Sequence, residues 1–382
     1  MKICAIICEY NPFHNGHLYQ IQAAKAATGA DAILCLMSGN FVQRGEAAVF
    51  EKHLRAKHAL LGGADAVIEL PAVFATSNAE IFAKGAVKLL SSVPDVKMLS
   101  FGTETASEKE LLNAATLLLN EPKEISERIR KRLQDGVSYA KARAEAWEDK
   151  IPQELLTSPN NILALEYAKA ILTYQADIKL FPIKRLGGGY NETALNGSYS
   201  SATSIRTAWL NGENVRYALP DFVPDNTHNE LQLRLQTAEN YALISKPTYL
   251  VEKTPDCSEG LENALKREAA QGERDIAAKL TSLRYTASRL KRILLQNALN
   301  ISKTDVFNAL ENSLYLKLLA VKTEREDVLS ALGKTGVPLL VRPYDEEKLS
   351  NKAKAVLQTD KFADALYAQL CGNSFLDKPI FL

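Results

Sequence analysis

Two histidines stand three residues apart near the amino terminus, in the stretch Glu9-Tyr10-Asn11-Pro12-Phe13-His14-Asn15-Gly16-His17. A short apolar run, Ile3 to Cys8, precedes it, and a helical pattern over His17–Ala27 follows. A helix amino terminus offers unpaired backbone N–H groups and the positive end of a dipole, which together favour an anion. Gly16 lets the main chain come close to a phosphate. Two imidazoles at this spacing point at one triphosphate and donate hydrogen bonds to oxygens that gain charge as the α-phosphate is displaced. The bland alternative is a turn residue followed by a helix-starting residue. Zinc fits poorly, because no third nitrogen or sulfur ligand lies at suitable spacing, so no metal ligands are predicted.

The elements that must position this loop follow from the hydrophobic pattern. Residues 2–8 read as a short buried strand, with further apolar runs at 32–37, 66–70 and 97–101. Helical patterns lie between them, at 51–62 and 78–92 among others. Short apolar strands alternating with helices predict an α/β fold with a parallel sheet covered on both faces. Ligands gather at the carboxyl ends of such strands, which directs attention to Cys8–His17, Ser38–Arg44 and Phe101–Glu104. Residues 106–150 read as polar and helical, with a basic run at Arg128–Arg132 that Glu124 and Glu127 dilute. A helix over 161–173, a strand over 178–183, a loop containing Gly187–Gly189 and a helix from near Thr203 complete this half. Pro220, Pro224, Asp225 and Asn226 suggest a linker. Beyond it, 228–245, 258–270, 273–299, 304–319 and 325–332 read as helices, and 337–343 as a returning strand. The expected division is residues 1–215 and a mainly helical 216–382.

The chain has 382 residues, enough for two or three domains at roughly 100–200 residues each. Its net charge of +1 excludes a globally basic nucleic-acid coat but allows a local basic face. The five cysteines are scattered without a CxxC pair, which argues against a disulfide framework or structural zinc. The first apolar run is too short for a signal peptide, and no stretch approaches the roughly 18 apolar residues needed to cross a bilayer. A cytoplasmic location without membrane partners is the expectation.

A second motif, Ser201-Ala202-Thr203-Ser204-Ile205-Arg206, supports the first. Thr203 or Ser204 is placed to cap a helix and meet a phosphate, and Arg206 to neutralise a triphosphate. With His14-Asn15-Gly16-His17 it resembles the two signatures of the HxGH nucleotidyltransferase superfamily, Ala202 standing where a serine is usual. The stretches CEYNPFHNGHLYQ (8–20), MSGNFVQRGE (37–46), GADAVIELP (63–71), SFGTE (100–104), SPNNILALEY (158–167) and IKRLGGGY (183–190) occur together and in order. This ensemble resembles the bacterial tRNA cytidine acetate ligase family over nearly the whole chain. The helical half matches more loosely, chiefly at Arg284-Tyr285-Thr286 and Arg289-Leu290.

The resemblance implies a Rossmann-like HxGH core and a two-step reaction. Acetate would attack the α-phosphate of ATP, and the N4 amine of the wobble cytidine of elongator tRNA(Met) would then take the acetyl group. His14, His17 and Arg206 would be catalytic. The ATP positions implied are Ile7, Cys8, Glu9, Tyr10, Asn11, Pro12, Phe13, His14, Asn15, Gly16, His17, Leu18, Tyr19 and Gln20, then Gly102, Asn161, Arg185, Thr203 and Ser204. Mg2+ is expected with the ATP. Gln43 and Arg44 fall on the ligand side, Arg44 toward a phosphate, acetate or tRNA. No residue is identified for acetate; a small apolar pocket would suffice.

A basic run supplies a candidate RNA surface. From Lys279 to Lys303 there are six basic residues and no acidic one. Leu280, Leu283, Ala287, Leu290 and Leu294 follow helical spacing as a buried stripe. That would leave Arg284, Lys291 and Arg292 outward with Tyr285 nearby, a cationic face with one stacking ring for tRNA. Two other functions share parts of this pattern. One is an adenylyltransferase acting on a small nicotinamide- or pantetheine-type substrate, which does not need the helical half. The other is a non-catalytic nucleotide-sensing RNA-binding protein, which does not need both histidines.

Overall fold

The computed structural model describes residues 1–104, 107–186, 195, 197–225, 230–312 and 314–382. In chain order the strands are β1 (Ile3–Cys8), β2 (Ala32–Ser38), β3 (Phe41–Val42), β4 (Glu46–Ala47), β5 (Ala66–Leu70), β6 (Val96–Thr103), β7 (Lys179–Lys184), β8 (Leu316–Val321), β9 (Leu339–Leu340) and β10 (Ile380–Phe381). The main sheet runs β10-β8-β5-β2-β1-β6-β7, with β9 beside β8, and β3 and β4 form a separate small hairpin. From β5 to β7 all neighbours are parallel; β8 enters antiparallel to β5.

β1, β2 and β5 are buried along their whole length, so their unbroken apolar sequence is what a sheet covered on both faces requires. Alternate residues of β1 serve opposite cores: Ile3, Ala5 and Ile7 on one face, Cys4, Ile6 and Cys8 on the other. A third core is mainly helical, built from residues such as Leu243, Leu265, Ile276, Leu290 and Ile293.

Several expectations need correction. The segment 304–319 is not one helix: it is a helix over Lys303–Glu311 followed by β8. A short apolar run carries no period that separates a buried strand from a buried helix. The segment 273–299 is also broken, into Ile276–Leu280 and Ala287–Ala298, with Leu283 in the connection 80% exposed and outside the buried stripe. The return over 337–343 shrinks to β9. The first helix starts at Asn15 rather than His17, while the later one starts at Ala202, beside the expected Thr203. Gly187–Gly189 and Asn226 lie outside the described residues. No described helix is long and apolar enough to cross a membrane.

Candidate active site

The first helix, Asn15–Thr28, begins where β1 ends, and His14 is its N-cap. His14 Nδ1 accepts from the Gly16 N–H at 3.0 Å, and His17 Nδ1 accepts from the His14 N–H at 3.3 Å. This reciprocal cap satisfies two of the helix's orphan donors with imidazoles in place of the usual hydroxyl and carboxylate. It also fixes the tautomer. A neutral imidazole whose Nδ1 accepts must carry its proton on Nε2. The rings are stacked, with centroids 3.7 Å apart. A Cβ on Gly16 would sit 2.8 Å from the His14 ring, so this glycine makes room for the histidine cap.

Both imidazoles are neutral. Burial pushes His14 down to about 3, assisted by the Arg185 and Arg206 charges. Burial also holds His17 well below its ordinary value, with His14 and Arg185 adding to the effect. The pair therefore places no two like charges in contact, and the Pro12 carbonyl, which accepts from the His17 ring, only partly offsets the fall in its pKa. Behind them Tyr10, wholly buried, adopts a left-handed conformation (φ 50°) that is unusual for a bulky residue and concentrates at functional sites. Its ring lies 4.8 Å from those of Phe13 and His17 and backs the second histidine.

The histidines line a cavity of about 190 Å3 at the carboxyl ends of β1, β6 and β7, shared with Gly102, Arg185, Thr203 and Arg206. Arg185 continues β7, its N–H donating to Thr103 O at 3.0 Å, and its stem packs over Gly102. Arg206 lies on the helix Ala202–Leu210. It donates to Asn11 O at 2.8 Å and pairs with Glu46 Oε2 at 3.1 Å. Burial works to raise the Glu46 carboxyl, but Arg206 and Lys291 outweigh it and hold the group below its usual range. Glu9 also lines the cavity; burial raises its carboxyl, only partly offset by the Gln43 N–H and by Arg206.

Not every anticipated residue faces the cavity. Within Ile7–Gln20, Pro12, Phe13, Asn15 and Leu18 do not line it, and Gly16 and Tyr19 line only a smaller recess beside it. Phe13 is core, and Asn15 Nδ2 instead holds Ser198 O and Tyr217 O at 3.1 and 3.0 Å. Asn161 is wholly buried, its amide spanning Glu104 N (3.1 Å) and Glu154 O (3.2 Å); its neighbour Asn160 is on the cavity wall. Ser201, not Thr203 or Ser204, caps the later helix, its Oγ accepting from Ser204 N at 3.1 Å. That leaves Thr203 to the cavity, while Ser204 is buried against Ser201.

The basic helix differs from expectation. Arg292 is not on an outer face: its side chain is only 11% exposed, beside Asp256 at 3.7 Å. Lys291 turns inward to Glu46 Oε1 at 2.8 Å. Arg284 is exposed, paired with Glu259 and close to the Tyr285 ring.

Sequence reasoning missed Arg55. Its guanidinium is wholly buried and donates to Glu9 O, Ser38 O, Gly39 O and Phe50 O, binding the ends of β1 and β2 together. An arginine within a short helical pattern carries no signal of this. Glu46 was legible only as the end of the MSGNFVQRGE stretch. Among the described residues no group of three or more His, Cys, Asp or Glu side chains is placed to hold a metal ion.

Stacked neutral imidazoles capping the helix after β1, with an arginine from the last motif beside them, define a nucleotidyltransferase site of the HxGH type. The family model described as HIGH Nucleotidyl Transferase matches residues 1–378. A tRNA(Met) cytidine acetate ligase of Thermoanaerobacter sp. (strain X514) is 37% identical over 98% of this chain and 96% of its own length. One of Clostridium novyi (strain NT) is 34% identical over 90% of each. The crystal structure of apo Thermotoga maritima TmcAL superposes with a TM-score of 0.92 at 29% identity, covering 100% of both chains. The same protein bound with alpha-thio ATP gives 0.86 at 30% identity, over 97% of this chain and 95% of that one. The chain belongs to the tRNA(Met) cytidine acetate ligase family of HIGH nucleotidyltransferases.

Proposed function

We propose that this chain joins acetate to the N4 amine of the wobble cytidine of elongator tRNA(Met) at the expense of ATP. The single observation that carries the chemistry is the His14–His17 pair with both Nε2–H groups free of the helix cap, beside Arg206 on one cavity wall. In the first step an acetate oxygen attacks the α-phosphorus, the bond to the β-phosphate oxygen breaks and pyrophosphate leaves. The charge gained by the non-bridging and leaving oxygens meets neutral N–H donors and a guanidinium, already oriented by the fold. In the second step the N4 lone pair attacks the acetyl carbonyl, the carbon–oxygen bond to AMP breaks, and N4 releases a proton.

Residues 1–215 are assigned the ATP chemistry, with Gly102 and Arg185 on the nucleotide wall and Asn161 acting through the Glu104 main chain. Residues 216–382 are assigned the tRNA, with Arg284 at the exposed contact, the half-buried Tyr285 beside it, and Lys291 and Arg292 behind. Mg2+ would accompany the ATP, held by its phosphates and by water, and would offset phosphate charge there. The test is mass spectrometry of nucleosides from tRNA(Met) incubated with protein, ATP and labelled acetate. Labelled N4-acetylcytidine at the wobble position is expected. A labelled small-molecule adenylate conjugate with unmodified tRNA would point to the adenylyltransferase function instead.

A further inference from the structure

The cavity is asymmetric about the histidine pair. A smaller recess shares His14, His17, Gly102 and Arg185 with it and is otherwise walled by residues such as Tyr19, Ile183 and Tyr199. Of the positions assigned above to ATP, Tyr19 lines the recess, Gly102 and Arg185 are shared, and Ile7 to Asn11 and Thr203 line the main cavity. Part of the main cavity's wall is of different chemistry. It is formed by Val42 of β3, Phe82 of the helix Ala79–Ser91, Phe101 of β6, and Leu163 and Tyr167 of the helix Pro159–Tyr174. Val42, Phe82, Phe101 and Tyr167 are at most 4% exposed and still line the cavity, so they form a floor rather than a rim. The Phe101 and Tyr167 rings brace each other at 5.6 Å.

Arg44, Arg206 and Glu9 share the cavity wall with this floor and the histidines. Glu9 is the acidic residue on the described wall, and the charges of Arg206, Arg44 and Arg55 all bear on it. The wall as a whole therefore suits an anion, while the floor suits a small apolar group.

From this we propose that Val42, Phe82, Phe101, Leu163 and Tyr167 form the acyl pouch of the carboxylic acid substrate and set its chain length. This rests on the ligase function proposed above. The acid lies with its carboxylate toward the histidines and Arg44 and its methyl against the floor. The same pouch holds the methyl of the acyl-adenylate until the amine attacks. Burying a methyl costs no polar partner, but each further methylene must displace packed rings drawn from separate elements, which resist compression.

Leu163 is the wall residue whose change disturbs the core least, since it is only half-buried. The test measures acid-dependent ATP–pyrophosphate exchange with acetate, propionate and butyrate for the parent, Leu163→Ala and Leu163→Phe, with Phe82→Leu as a second opening variant. The parent should prefer acetate over propionate by about 10-fold or more, the discrimination typical of one methylene. Leu163→Ala and Phe82→Leu should narrow that ratio by about 10-fold, by gaining propionate rather than only losing acetate. Leu163→Phe should raise the KM for acetate and leave the KM for ATP near the parent value. Unchanged acid ratios in variants with parental circular dichroism would overturn the pouch, as would a rise in ATP KM as large as that for acetate. A parent with no acetate-dependent exchange at all would overturn the ligase function itself. The two failures are thus distinct.

Discussion

Lys291 Nζ lies 2.8 Å from Glu46 Oε1, while the other oxygen of that carboxylate takes Arg206 at 3.1 Å. One half-buried carboxylate thus joins an arginine of the histidine-lined cavity to the helix Ala287–Ala298, and the main chain reinforces the link. Gly45 has a φ of 74°, and a Cβ there would collide with the backbone of Lys291 and Arg292. Glu46→Gln and Lys291→Met should therefore both slow acetate-dependent pyrophosphate exchange. Their effects should be non-additive by about 0.5–3 kcal/mol in a double-mutant cycle. Strict additivity would reduce the trio to a packing contact.

His14→Ala and His17→Ala should each lose roughly 10²-fold or more in adenylate formation, since each removes a donor to developing charge. Loss of the cap should cost stability only on the order of 1 kcal/mol, with the fold retained by circular dichroism. Near-parental exchange rates would exclude the imidazoles from the transition state.

The tautomer and charge of the pair are open to 15N imidazole spectroscopy of the free protein. Both rings should show protonated Nε2 and unprotonated Nδ1, with no titration of His14 until pH approaches 3. Because the folded values lie below the unfolded value of about 6.5, the unfolded chain binds more protons between these limits. The pair's contribution to stability is thus complete above pH 6.5 and is lost as pH falls toward 3. Urea midpoints should fall with pH across that window, less steeply for His14→Asn. A histidine pair that titrates near 6.5 would contradict the buried neutral geometry.

Arg185→Ala should raise the KM for ATP with little change in kcat, the pattern of a lost ground-state contact. Asn161→Ala should behave differently. Its buried amide supports main-chain groups of Glu104 and Glu154, so both the melting temperature and ATP affinity should fall. An Asn161 variant with parental stability and a raised ATP KM would make its contact direct.

Arg284→Gln should shallow the salt dependence of tRNA binding by about 0.7–0.9 on a log–log plot, as for one phosphate contact. Arg292→Gln should instead lower stability, because its side chain is buried beside Asp256. If Arg284→Gln binds like the parent across a salt series, the RNA contact lies elsewhere, with Arg128–Arg132 the next surface to probe. There Arg128 and Arg132 are already engaged with Glu124, Asp149, Asp135 and Glu145.

What was legible in the chain depended on locality. β1, the loop to His17 and the helix beyond are contiguous, so the strand, the anion site and both donors stand in one short reading frame. The Ser201–Arg206 motif was equally compact, although the capping hydroxyl proved to be that of Ser201. Arg55, Phe82 and Leu163 were not legible, because their roles arise from distant segments brought together by the sheet. The basic run misled for a related reason. Charge density along a sequence does not say which cations are drawn inward, and Glu46, which draws Lys291, lies far away in the chain. The Leu283 error came from extending one helical phase across a break that Thr281, Ser282 and Thr286 favour locally.

β8 pairs with β5 from the far end of the chain. During synthesis the buried strands β1, β2 and β5 are made long before that partner exists. Until then β5 carries a bare apolar edge, the kind of surface on which nascent chains stick to one another. A fragment ended at residue 215 would keep that edge permanently. The histidine loop is encoded early, but the sheet beneath it is closed only by late-translated sequence. Shuffling the front half onto an unrelated partner would thus require a substitute strand.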